Sequence, residues 1–219
     1  MSEVILVEGV GDVDFVTSFL AKIGKPGVEP FPPKPLGGAG NGISNVMKTI
    51  PLLFNKILAG DVTKAAIVID ADYTGVNGGF VARRAEVVQQ LTALGYVVPV
   101  APVAGLPPGE LFTHPDGHTP IGLFVMPNHS SDGMLEDLLK QMVVDPPHNA
   151  LLQHAINVVS ALPTKLFNVN IHTAKAEIGT FLAWQKRPPA YTGVCVDQDI
   201  FRAMSPAAND FLQWLNRVF

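Results

Sequence analysis

Cysteine occurs once in these 219 residues, at Cys195. A lone thiol closes no internal disulfide, so the fold must rest on a packed core, and a reducing, cytoplasmic setting is expected. Long apolar runs are missing as well. None approaches the roughly 20 residues that cross a bilayer, so no membrane partner is expected. The opening Met-Ser-Glu-Val has no basic region before its short apolar run, and no secretory signal is expected there. Charged residues are sparse, at 16%, with a net charge of −4. That balance argues against indiscriminate nucleic-acid binding. It leaves room for an enzyme that meets phosphate through a bound divalent cation. No internal repeat, low-complexity tail or clear linker is present.

What is present is apolar. A hydrophobic fraction of 47% with few charges predicts a sizeable buried core, in one domain or two small ones. Val4–Val7 is a short apolar run of the kind found in strands buried on both faces. A helix starting at Gly11 or Asp12 then carries Phe15, Val16, Phe19 and Leu20 at helical spacing. "VEPFPPKPLGGAGNG" allows only a short or edge strand before a loop. Residues 43–58 read as a helix entered from Gly42, with Pro51 predicting a kink or break. "KAAIVIDAD" is the second apolar run. Residues 83–94 read as a helix, "YVVPVAP" as a strand, 105–120 as loop or hairpin, and "IGLFVMP" as a further strand. "DGMLEDLLKQMV" and residues 148–161, 172–185 and 207–218 read as helices. The alternation predicts an α/β fold with a mostly parallel sheet flanked by helices. Pro146-Pro147 divides an α/β core, 1–145, from a helical C-terminal part, 146–219, packed on it.

Both specific apolar runs end in acid: Val7 is followed by Glu8, and Ile69 by Asp70, Ala71 and Asp72. Parallel strands set their carboxyl ends along one edge, where sites form. In extended chain Asp70 and Asp72 would point the same way. Like charges 4 Å apart repel by about 4 kcal/mol at an effective dielectric of about 20. A cation would relieve such a cluster, and all-oxygen ligands suit Mg²⁺ or Mn²⁺. Taken singly, either ending reads more readily as a helix cap or a turn; it is the pair that points to a site.

"VEGVGD" after a first strand and "IVIDAD" about sixty residues later resemble the Toprim domain of topoisomerases, bacterial-type primases and OLD-family nucleases. The resemblance implies that Glu8, Asp70 and Asp72 hold divalent metal for phosphodiester chemistry, with Asp12 as the second acid of the first motif. "FVMPNHSSDGMLEDLL" resembles the OLD-type segment that supplies another acid at a helix start, at Glu136 or Asp137; Glu136 is the preferred ligand. "HTAKAEIGTFLAWQ" resembles the late helix whose lysine, here Lys175, would stabilise charge on the phosphate. Together with "AWQKRP" it also resembles a family of short stand-alone bacterial proteins of unknown function with Toprim-like cores. Unlike OLD proteins, the chain has no Walker sequence, so an ATPase would have to be a separate partner.

The resemblance therefore implies a Mg²⁺-dependent nuclease acting on DNA or RNA, with Glu8 and Lys175 catalytic. The competing expectation is a non-catalytic Toprim-like module that binds metal or nucleotide and regulates a partner. A Rossmann-type small-molecule binder is disfavoured, because Asp14 stands where a third glycine belongs. "GGAGNG" could present N–H groups of Gly38 and Gly40 to phosphate, with Lys34 nearby, or be a plain loop. Lys48, Lys186 and Arg187 read as solvated charges. His114 and His118 have a zinc-like spacing but sit in a Pro/Gly loop without further ligands, and read as loop histidines, as does His129, while His172 reads as the start of the Lys175 helix. Cys195 reads as a packing residue. The apolar stripe around Trp214 reads as docking onto the body or onto a second copy in a homo-oligomer.

Overall fold

The computed structural model describes residues 1–34, 40–99, 108–188 and 190–219. Among the described residues five strands form one sheet: β1 (Ser2–Leu6), β2 (Val28–Phe31), β3 (Val62–Asp70), β4 (Glu110–Phe112) and β5 (Ile121–Met126), in the order β2-β1-β3-β5-β4. The pairings among β2, β1, β3 and β5 are parallel, and only β4 runs antiparallel, against β5. The fold is thus α/β with a mostly parallel central sheet, as the alternation of apolar runs and helices predicts.

The helices are α1 (Val10–Lys22), α2 (Ile43–Leu58), α3 (Phe80–Ala93), α4 (Leu135–Met142), α5 (Pro146–Ser160), α6 (Val169–Ala183), α7 (Thr192–Asp197) and α8 (Asn209–Val218). None of the described helices is long and apolar enough to cross a membrane.

Strand side chains alternate between faces, and each face has its own core. Ile5, Val7, Ala66, Val68, Phe124 and Met126 lie in one cluster with residues of α1 and α4–α8. Val4, Leu6, Ile67, Ile69, Leu123 and Val125 lie in the other, with residues of α2 and α3. The helices after Pro146 therefore complete, with α1 and α4, one of the two layers and share their apolar cluster with the strands. Phe124 of β5 meets Phe211 and Trp214 of α8 at ring-centroid distances of 5.1 and 5.3 Å. Gly122 permits this approach, since a Cβ there would come within 2.8 Å of Val218.

Two local expectations change. Pro51 does not break α2, which runs unbroken from Ile43 to Leu58. "YVVPVAP" gives no strand among the described residues; Val97 makes an isolated bridge to Thr113, and 100–107 lie outside them. α7 was not anticipated. It packs on α1, where Asp14 accepts hydrogen bonds from the Thr192 hydroxyl (2.8 Å) and the Gly193 N–H (2.7 Å).

Candidate functional site

A cavity of about 350 Å³ opens at the carboxyl edge of β1 and β3. Glu8, Asp12, Asp70 and Glu136 line it, together with Lys175. Each acid is placed by backbone geometry. Glu8 follows β1, and its Oε1 accepts the Asp70 N–H at 2.9 Å. Asp70 ends β3, and its Oδ1 accepts the Leu135 N–H at the start of α4 at 2.8 Å. Asp12, in the first turn of α1, accepts the Gly9 N–H at 2.9 Å. The N-termini of α1, α2 and α4 all border the cavity, a setting that favours negative charge.

Glu136 differs from the others. Its Oε2 is buried and has no hydrogen-bond partner. The adjacent Asp137 is fully engaged: it accepts from the Met134 N–H (3.0 Å) and the Tyr73 hydroxyl (2.9 Å), and pairs with Lys140 at 3.0 Å. Asp137 therefore caps α4, and Glu136 is the one of the two that lines the cavity.

The carboxylates raise one another's pKa. Burial pushes Glu8 from an ordinary 4.5 to about 7; the Asp70 N–H and Arg83 pull it back, while Asp12 and Asp72 push it higher. Asp70 lies well above its ordinary value through burial and the charges of Glu8, Asp12 and Glu136. Burial also raises Asp12, against the Gly9 N–H and Lys175, and raises Glu136, against Lys175. Desolvation works against the Lys175 ammonium, but Glu136, Asp70, Asp12 and Glu8 outweigh it and raise its pKa. α6, which carries Lys175, is pinned to α4 by the Lys140–Glu177 ion pair at 3.0 Å.

Asp72 does not join the cavity lining. Its expected alignment with Asp70 needs extended chain at both positions, but β3 ends at Asp70 and Asp72 has φ +60°. Its N–H and C=O pair with Gly133, and its carboxylate binds Arg83 at 2.8 Å. The assignment of Asp72 as a metal ligand beside Asp70 is corrected accordingly: its charge reaches Glu8, but its carboxylate belongs to Arg83.

The glycine loop contributes differently than expected. Asn41 and Gly42 line the cavity, and the Gly42 N–H bonds the Glu8 carbonyl at 2.8 Å. Gly40 and the exposed Lys34 are not among the lining residues, and Gly38 lies outside the described residues. Thr192 also lines the cavity; sequence reasoning passed over it because α7 itself was not anticipated. His129 is structural, its Nδ1 accepting the Val125 N–H (3.0 Å) and its Nε2 lying 3.3 Å from Glu110. Cys195 is buried.

The oxygen donors and the orphaned Glu136 Oε2 fit a hard divalent cation such as Mg²⁺ or Mn²⁺. The acids are nevertheless spread. Among the described residues, the side chains whose ligand atoms all lie within 4.8 Å of one another are His114, Asp116 and His118. A cation among the acids would draw them inward or reach some of them through water.

No curated protein and no solved structure matches the chain. The model of a protein family described as "Protein of unknown function (DUF3226)" matches residues 2–219, and the chain belongs to that family.

Proposed function

We propose that the cavity is a Toprim-like site that takes Mg²⁺ or Mn²⁺ and hydrolyses phosphodiester bonds of DNA or RNA. The buried, unpartnered Oε2 of Glu136, in a cavity shared with three other acids, carries this reading. A buried carboxylate oxygen without a donor is costly, and a cation supplies the missing partner. Glu8, Asp12, Asp70 and Glu136 would hold the metal. Bound there, it would acidify a water and offset charge on the phosphate. Lys175 would add a point charge toward the same phosphate. The helix N-termini present N–H groups to an anion. A cytoplasmic site of action belongs to this reading, as does an ATPase supplied by a partner protein.

The spread of the acids and the engagement of Asp72 favour a second reading, a metal- or nucleotide-binding module that regulates a partner without cutting. Incubation with single- and double-stranded DNA and RNA in Mg²⁺ or Mn²⁺ decides between them. Cleavage by the wild type, lost in Glu8→Gln and Glu136→Gln, supports the nuclease. Metal binding without cleavage of any substrate supports the module. Cleavage unchanged in Glu8→Gln means that a contaminant cuts, and the nuclease reading fails.

A further inference from the structure

The loop between β4 and β5 lies at the opposite edge of the sheet from the acidic cavity. β5 begins there at Ile121, and the Thr119 hydroxyl bonds the C=O of Val62 at the start of β3 at 3.3 Å. This loop carries His114, Asp116 and His118, whose ligand atoms converge within 4.8 Å.

The His114 ring is fixed. It packs against Tyr96 and Phe54 at centroid distances of 5.2 and 5.9 Å. Gly95 makes room for it, since a Cβ there would lie 2.6 Å from Nε2. Nε2 lies 3.1 Å from the Leu94 carbonyl, which can only accept, so Nε2 carries the proton. Nδ1 accepts the Asp116 N–H at 3.2 Å, which places its lone pair toward the turn. An imidazole whose far nitrogen donates to a main-chain carbonyl is oriented as metal-bound histidines are. The His118 ring lies 4.6 Å from that of His114, and Oδ2 of Asp116 lies 3.8 Å from Nδ1. Two ligands on one tetrahedral zinc, with bonds of about 2.0–2.1 Å, lie roughly 3.4 Å apart. The Asp116 side chain is 76% exposed and free to close that difference. Aromatic packing on Phe54 explains where the rings sit. It does not explain why a second imidazole and a carboxylate converge on the same side of the turn as the Nδ1 lone pair.

We propose that His114, Asp116 and His118 bind a divalent transition metal of the zinc class, which staples the β4–β5 loop across its own turn. Two imidazoles and one carboxylate select zinc-class ions over Mg²⁺, so this site is separate in place and in chemistry from the acidic cavity. The contact a metal displaces is the long Asp116 N–H bond, which water can take over in an exposed turn.

Co²⁺ absorbance titrations on tag-free protein test it, with Zn²⁺ as competitor. Wild type should bind Co²⁺ saturably with an imidazole-type visible spectrum that Zn²⁺ abolishes and millimolar Mg²⁺ leaves intact. His118→Gln and Asp116→Asn, both outside the core, should keep their circular dichroism and weaken Co²⁺ binding by about tenfold or more. Glu136→Gln should leave it unchanged. The proposal is overturned if His118→Gln binds Co²⁺ as tightly as wild type, or if Glu136→Gln removes the spectrum. Neither result depends on whether the acidic cavity cuts nucleic acid.

Discussion

The main-chain N–H of Asp70 donates to Oε1 of Glu8 at 2.9 Å, so the two strand ends that carry the acids are tied by a carboxylate rather than by the sheet ladder. Glu8→Gln retains an oxygen for that bond, removes the charge and replaces the second oxygen with an amide donor. The variant should fold and, without metal, melt higher than wild type. It should also lose most of the stabilisation that millimolar Mg²⁺ or Mn²⁺ gives the wild type. Thermal melts of both proteins with and without metal check this. A metal-induced shift equal to that of wild type would remove Glu8 from the site.

Asp70 and Asp72 should respond oppositely to the same change. Asp70→Asn should remove the metal-induced shift with modest effect on the metal-free fold. Asp72→Asn should keep the shift but cost about 2–3 kcal/mol, because it weakens the partnership of a largely buried Arg83. Chemical denaturation with and without Mg²⁺ separates the two. Loss of the metal response in Asp72→Asn alone would return Asp72 to the ligand set.

Acidity sets the metal-free stability. The folded protein keeps the Glu8 proton to about pH 7, whereas its ordinary value is 4.5, so the folded state binds more protons across that window. Stability therefore falls as pH rises from about 4.5 to 7, by an amount on the order of 2 kcal/mol for this group. Asp70 and Glu136, shifted in the same direction, add to the fall. Melting temperatures in chelator should decline across the window, and Glu8→Gln should flatten the decline. A profile that rises instead would contradict the strained cluster.

Lys175 should separate binding from turnover. It adds positive charge to the cavity, so Lys175→Met should tighten Mg²⁺ binding severalfold. If the site cuts phosphodiesters, the same change should slow turnover by about 10²-fold, the usual scale for removing a group that meets developing charge. Calorimetric titration and cleavage rates on one preparation give both readouts. Weaker metal binding in Lys175→Met would contradict the electrostatic account.

The strand ends were legible because parallel strands buried on both faces leave continuous apolar runs, and Val4–Val7 and Ile67–Ile69 are such runs. The bounds of α2 were legible for a similar reason: Gly42 opens it and Gly60 follows its end, with apolar residues spaced between. That Glu136 and Asp137 do not both face one site follows from the roughly 100° step between helical neighbours; which one does was not legible, and the structure supplies the cap that takes Asp137 out of the cavity. Asp72 was misread because its backbone is set by Gly133, a residue remote in sequence that no local pattern reveals. The convergence of His114, Asp116 and His118 was hidden in the same way. Their spacing was visible, but the placement of the turn depends on Leu94, Tyr96 and Phe54.

β2 closes one margin of the sheet with only four residues, Val28–Phe31. The Phe31 carbonyl faces inward, accepting from Val7, so Val28 and Pro30 turn their nitrogens to the open side. The Val28 N–H is spent on the Lys25 carbonyl, and proline has none to give. This margin thus offers a stranger's backbone no hydrogen to accept, which protects a chain so rich in apolar residues from fibrous stacking along it. A second copy meeting the protein on that flank finds only the outward carbonyls of Val28 and Pro30, and would have to supply every main-chain hydrogen itself.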